Sequence, residues 1–221
     1  DRSVHWLLLD FAAPRGSGNG TYRLEFGTEV QPLPAVPGLH VAQTRGGLTV
    51  DTGAIRFTVS SGSPQLLEQV YLDGADEPLV ELLEGLLSAR DGWITTGFTA
   101  TPEQVTAETV GPERVCVLVC GKLRSGSAVF GRFTCRIHAF RARPYVRVLY
   151  RVFNDTAPPA QLVTSMALGL RTAIVDGEAV LGAHRAATGA SEPARLLVRQ
   201  HGRDGFEVFG GDDRRQGSGA R

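Results

Sequence analysis

Residues 133–154 alternate apolar and polar side chains in both halves of the stretch. The apolar positions share one parity in each half: Phe133, Cys135, Ile137 and Ala139, then Val146, Val148, Tyr150 and Val152. Because successive side chains of a strand point to opposite faces, each half predicts a strand with one apolar face and one arginine-bearing face. The Arg-Ala-Arg-Pro between them predicts the turn of a hairpin. The apolar face needs a cover, so other strands of the chain must pack against it.

Further short runs with strand character follow one another along the chain, separated by glycine turns such as Gly46-Gly47 and Thr52-Gly53. Strands are expected at residues 39–43, 48–51, 54–60, 92–99, 104–110, 114–123, 195–198 and 206–209. Residues 66–72 fit either a helical turn or a strand, and the Asp73-Gly74 turn that follows favours a strand. Residues 161–174 form an apolar run with few polar residues. Residues 78–87, PLVELLEGLL, fit either a short helix or two strand pieces interrupted at Gly85. Roughly a dozen closely spaced strands predict an all-β fold, an antiparallel sandwich or barrel.

The N-terminal part carries a hairpin pattern of its own. Residues 3–11 are almost continuously apolar, residues 15–20 are rich in glycine, and residues 21–26 alternate again. Three prolines within residues 32–37 disfavour both helix and central strand, which makes this stretch the expected linker to the larger domain. The last residues, 211–221, are polar and glycine-rich and are expected to form a tail or linker.

The composition excludes several classes of function. Lys+Arg and Asp+Glu are both 23, and a neutral chain argues against binding to nucleic acid or a membrane surface through bulk charge. Three cysteines are too few for a disulfide framework. Cys116 and Cys120 are expected on one strand face as small buried side chains, whereas His138 points away from Cys135. No metal or other cofactor is therefore expected.

Four side chains are candidates for contact with an acidic sugar. Arg136 and His138 are expected on one strand face and Arg147 on the polar face of the next strand, where guanidiniums could pair with uronate carboxylates. Trp93 could stack on a sugar ring if it is exposed. The simpler interpretation is that the charged residues form an ordinary solvated sheet face and that the tryptophan belongs to the core or its rim.

Five segments taken together resemble the N-terminal region of the exo-acting rhamnogalacturonan lyase family. They are SVHWLLLDF, TYRLEFG, LTVDTGAIRFTVS, ETVGPERVCVLVCGKL and RIHAFRARPYVRVLYRVFN, which span most of the chain. The Gly-Pro-x-Arg-Val motif also resembles the large sandwiches of other polysaccharide lyases and of mutarotase-like domains. The resemblance implies the end of a RIFT-type β-barrel at residues 1–37, a large central β-sandwich at residues 38–210 and a tail or linker at residues 211–221.

The same resemblance implies a fragment of a longer protein, because the family carries a C-terminal α/α barrel that no segment here could supply. The elimination chemistry is expected in that barrel, so no catalytic residue is assigned to this chain. The expected function is a non-catalytic scaffold or substrate wall, with an acidic polysaccharide and the rest of the parent chain as partners and Trp93, Arg136, His138 and Arg147 as substrate contacts. One alternative is a stand-alone carbohydrate-binding or interaction module. Another is a mutarotase-type enzyme that uses His138 with Glu108 or Glu113.

Overall fold

The computed structural model describes residues 23–31, 38–155, 161–173, 177–181, 184–188, 196–201, 205–210 and 213–218. The predicted hairpin of residues 3–26 and the proline-rich linker fall almost entirely outside these ranges. The chain divides into two compact units, Asp1–Thr172 and Ala173–Arg221. Every regular element in the described part is a β-strand, which confirms the all-β prediction. No helix there is long and apolar enough to cross a membrane.

The first unit contains ten described strands. They are β1 His40–Thr44, β2 Gly47–Asp51, β3 Ile55–Ser60, β4 Leu67–Leu72, β5 Val80–Asp91, β6 Ile94–Val110, β7 Arg114–Ser125, β8 Ala128–Phe140, β9 Val146–Phe153 and β10 Leu162–Thr172. The second unit contains β11 Gly177–Leu181, β12 His184–Thr188, β13 Leu196–His201, β14 Gly205–Gly210 and β15 Asp213–Ser218. The sequence expected as a polar tail thus includes a strand, β15, which pairs with β14.

The strands of the first unit form one antiparallel sheet in the order β1 to β9, and β10 pairs with β5. Residues 80–91 form a single strand that continues through Gly85, so the helical alternative for this segment is wrong. Along one edge, β5 pairs first with β4 and then with β6. Along its other edge, β5 pairs with β10 from Val80 to Arg90. The predicted hairpin of residues 133–154 is confirmed as β8 and β9.

A single hydrophobic core joins the two ends of this sheet. The apolar residues at alternating positions of β8 are buried, as the sequence predicts. Phe133, Cys135, Ile137 and Ala139 are at most 1% exposed. The same core includes Leu48 and Val50 of β2, Phe57 and Val59 of β3 and Val115, Val117 and Val119 of β7. Strands distant in the sheet order share one core, so the sheet folds over on itself as a β-sandwich.

Two turns are joined at the base of the sandwich by Thr52, which is fully buried. Its Oγ1 accepts a hydrogen bond from the Ile55 amide at 3.0 Å and lies 3.4 Å from the Arg143 carbonyl. The Thr52 carbonyl accepts a hydrogen bond of 2.7 Å from the Ala142 amide. The β2–β3 turn therefore holds the turn between β8 and β9, although the two are about ninety residues apart in sequence.

We expect Thr52→Val to destabilise the protein by about 1–3 kcal/mol, because it leaves buried backbone groups without their hydroxyl partner. Urea unfolding measures the change in midpoint. Thr95→Val is the matched control, since Thr95 is exposed on a strand of the same sheet, and it should change stability by less than about 0.5 kcal/mol. Equal midpoints for the two variants would show that Thr52 does not hold the turns together.

Gly85 lies where β9 packs across the sandwich onto β5. A Cβ at this position would lie 2.7 Å from Tyr150 Oη and 3.0 Å from Ala100 Cβ. The hydroxyl of Tyr150 is buried with no hydrogen-bond partner among the described residues, and burial raises its pKa. The glycine thus makes room for an aromatic ring that fills the space between the strands.

We expect Gly85→Ala to cost about 1–3 kcal/mol through overpacking, measured as a lower thermal or urea midpoint. Tyr150→Leu in the same chain should recover part of this loss, because the shorter side chain leaves room for the methyl group. Gly97→Ala on the neighbouring strand is the control, since no atom of the described residues lies within 4 Å of its added Cβ. A cost for Gly97→Ala as large as that for Gly85→Ala would contradict the packing explanation, because losing a glycine restricts the unfolded chain and does not by itself destabilise the fold.

Candidate functional site

The face of β6–β9 that points away from the core carries the polar side chains, and we call it the outer face. The β-ladders place Cys116 opposite His138 and His138 opposite Arg147. Arg136 lies two residues before His138, opposite Leu118 on one side and Leu149 on the other. Three of the four predicted contact residues are therefore neighbours on one face of the sheet.

Trp93 lies apart from this group. It occupies the turn between β5 and β6 and is 100% exposed, so it belongs to neither the core nor its rim. Strand β6 runs from this turn to Glu108, about 45 Å along the strand at about 3.3 Å per residue. The sequence could not show this separation, because it depends on β6 being one continuous strand and not the two that the pattern predicted.

Glu108 is brought to the outer face by a β-bulge in β6, between Ala107 and Thr109. Its carboxylate accepts hydrogen bonds from Arg136 Nε and Nη2, both at 2.7 Å. This bidentate bond to Arg136 lowers the pKa of Glu108 from an ordinary value of 4.5 to about 2. The sequence offers Glu108 as a candidate base but does not indicate its pairing with Arg136, because the alternation of a strand does not reveal a bulge.

A second bulge in β6 repeats the arrangement. The extra residue is Glu103, between Pro102 and Gln104. Its carboxylate accepts a hydrogen bond of 2.8 Å from Arg124 Nη2 and lies 3.8 Å from Lys122 Nζ. Both irregularities of this long strand thus place a glutamate against basic side chains, those of β8 at Glu108 and those of β7 at Glu103.

A chain of polar contacts connects His138 to Glu108. Arg114 Nη1 lies 2.6 Å from His138 Nδ1, and because a guanidinium only donates, Nδ1 accepts. The proton of the neutral ring is then on Nε2, which faces Cys116 Sγ at 4.0 Å. Cys116 in turn donates to Glu108 Oε2 at 3.4 Å. One carboxylate therefore anchors Arg136 directly and His138 through the thiol.

The three cysteines are free thiols. Cys116 and Cys120 share a strand face as predicted, but it is the outer face, where Cys116 is buried and Cys120 is half-buried. Burial, together with the Glu108 carboxylate, raises the pKa of Cys116 to about 11, and burial raises that of Cys135 to about 12. No group of His, Cys, Asp and Glu within the described ranges could hold a metal ion.

Arg147 and Arg151 differ from the other arginines of this face. Both are exposed, and neither has an ion pair or a hydrogen bond to its side chain in the part of the chain that the structure describes. The carboxylates near β8 already have arginine partners: Glu108 with Arg136, Glu113 with Arg141 and Asp155 with Arg132. Strand β9 therefore presents two guanidiniums that no carboxylate of the described chain neutralises.

The fold and this face define a large antiparallel β-sandwich with one charged, partly open surface. Residues 39–194 match the family model described as the PcRGLX-like protein central beta sandwich domain. The match covers more than half of the chain, which therefore belongs to this rhamnogalacturonan lyase-like family. No curated protein matches the chain. The family resemblance and the sandwich prediction are confirmed, while the barrel remnant at residues 1–37 stays a prediction.

We expect Glu108→Gln to remove a contribution to stability that depends on pH. The folded pKa of Glu108 is depressed, so its ionised form stabilises the fold fully above about pH 4.5, and this contribution is lost as the pH falls towards about 2. Because the pair is about one-third exposed, solvent screening limits the effect to about 1 kcal/mol.

Urea unfolding of the wild-type protein and Glu108→Gln between pH 2 and pH 7 measures this difference, which should shrink as the pH falls. Glu77→Gln is the control, since Glu77 is exposed and has no ion pair in the described part of the chain. A difference that stays constant with pH would contradict a charge-based role for Glu108.

Proposed function

We propose that this chain is a non-catalytic, substrate-facing part of a rhamnogalacturonan lyase-like protein and that its outer face contacts the acidic sugars of a pectin-type polysaccharide. The observation that carries the proposal is the pair of exposed arginines on β9, Arg147 and Arg151, which have no carboxylate partner in the described chain. Arginine binds carboxylates through two parallel hydrogen bonds, so uronate groups are suitable ligands.

The arrangement around these arginines favours binding. Arg136 and His138 are held in place by Glu108 and Arg114, so the surface next to Arg147 is ordered before a ligand arrives. Ordered side chains lose less conformational entropy when a ligand binds. An incoming carboxylate would not have to displace a carboxylate of the described ranges from Arg147 or Arg151. The positive charge is local, because the chain as a whole is neutral.

The mutarotase-type alternative finds less support in this geometry. Glu108 and His138 do lie on one face, and both approach the sulfur of Cys116. However, the pKa of Glu108 is about 2, so this carboxylate is a weak base and carries no proton to donate near neutral pH. Both of its oxygens are also occupied by Arg136. We therefore favour a contact surface over an acid–base pair.

Trp93 remains in the proposal as a separate sugar contact. Its ring is fully exposed in the β5–β6 turn and could stack on a sugar ring. Trp93 directly precedes β6, whereas Glu108, which pairs with Arg136, lies near the far end of this strand, so one short oligosaccharide would not reach both places. A long polysaccharide could touch both places.

Isothermal titration of the chain with acidic rhamnogalacturonan oligosaccharides tests the proposal. We expect binding that weakens with salt, and a loss of about tenfold in affinity for Arg147→Gln, since a hydrogen bond to a charged group contributes about 1.5–3 kcal/mol. Arg45→Gln is the matched control, because Arg45 is exposed in the β1–β2 turn. Equal binding of oligosaccharides whose carboxyl groups have been reduced to alcohols would contradict the proposal.

The alternative of a stand-alone carbohydrate-binding module has one observation in its favour. Both exposed arginines lie on a single strand, so the contact surface needs no residue from another domain. Tight binding by this chain alone would support a module. The scaffold role would be supported if this chain does not bind by itself and Arg147→Gln reduces the activity of a longer protein.

A further inference from the structure

One side of β9 carries a regular series of side chains. Tyr145 directly precedes the strand, and Arg147, Leu149, Arg151 and Phe153 follow at every second position. We call these five residues the β9 strip. Tyr145 is 54% exposed and Phe153 is 42% exposed, so a ring flanks the arginine pair at each end.

We infer that the β9 strip binds an extended acidic oligosaccharide that lies along the strand, with Arg147 and Arg151 each pairing with a carboxylate of the same molecule. This inference rests on the proposed function and specifies its ligand. The two arginines are four residues apart, which separates them by about 13 Å. A single carboxylate or a monosaccharide cannot span that distance, so a ligand that uses both arginines needs at least two acidic groups.

The position of β9 in the sheet leaves room for such a ligand. It is the last strand in the sheet order, and β8 is its one described partner. An oligosaccharide along the strip would lie over Arg147 and Arg151 beside this edge. It would not have to cross the paired strands of the sheet.

The two rings are supported from the protein side. The ring of Tyr145 contacts that of Phe140 at a centroid distance of 5.5 Å. The Arg132 guanidinium lies 5.8 Å from the centroid of Phe153. Contacts on one side of each ring restrict its motion, while the exposed area can stack on the apolar face of a sugar.

The middle of the strip is electrically neutral. Leu149 lies between the two arginines, and the residue opposite it on β8 is Arg136, whose charge is compensated by Glu108. Two positive ends with a neutral centre match a ligand whose acidic groups are separated by a neutral sugar.

Affinity as a function of ligand length tests this inference. The probes are galacturonic acid and acidic rhamnogalacturonan oligosaccharides of increasing length. We expect the affinity to rise by at least about tenfold once a ligand can bridge both arginines, because the second contact becomes intramolecular.

Variants of the two arginines separate bridging from independent binding. Arg147→Gln and Arg151→Gln should each remove the length-dependent rise, so that long and short ligands bind alike. Arg45→Gln should keep the rise. Both strip positions are exposed, and unchanged thermal midpoints would show that the variants fold normally.

Binding without dependence on length, or additive effects of the two variants, would overturn the bridging arrangement while leaving the contact with acidic sugars intact. If no acidic oligosaccharide binds, the β9 strip is not a binding site. If Arg147→Gln also leaves the activity of a longer parent protein unchanged, the proposed function is overturned as well.

Discussion

The structure of the first unit depends on burying the apolar side of β7 and β8. Phe133 and Ile137 of β8 are almost completely buried, together with side chains of β2 and β3 from the other end of the same sheet. Apolar area on a strand face is stabilised only when another layer covers it, so the sheet has to fold over on itself. The same requirement determines which side chains lie on the outer face. Each residue between two buried ones points to the outer face, which places Arg136 and His138 side by side.

The bulges of β6 connect this packing to the chemistry of the outer face. A regular ladder would place the side chains of β6 in strict alternation, but the extra residue at Glu108 brings a carboxylate to Arg136. This pairing neutralises one arginine and, through Cys116, orders His138. The neighbouring strand β9 keeps Arg147 and Arg151 exposed. The sheet thus separates arginines with a structural role from arginines that are available to a ligand.

Residues 39–194 belong to the PcRGLX-like protein central beta sandwich domain family. A rigid sandwich suits a substrate-facing role, because its strands hold side chains at fixed spacings that a flexible loop would not maintain. The spacing along β9 is set by the geometry of the strand itself. The proposed contacts with a polysaccharide rest on the match between this spacing and regularly placed charges.

The alternation in the sequence was sufficient to predict the all-β class, the hairpin of β8 and β9, and the shared face of Arg136 and His138, because side-chain direction in a strand depends on parity alone. It could not decide between helix and strand for residues 78–87, where β5 is a strand because β4, β6 and β10 all pair with it. Nor could it reveal the Glu108 bulge, the ion pair with Arg136 or the distance of Trp93 from Arg147. These features depend on the register between strands distant in sequence, which only the packed sheet determines.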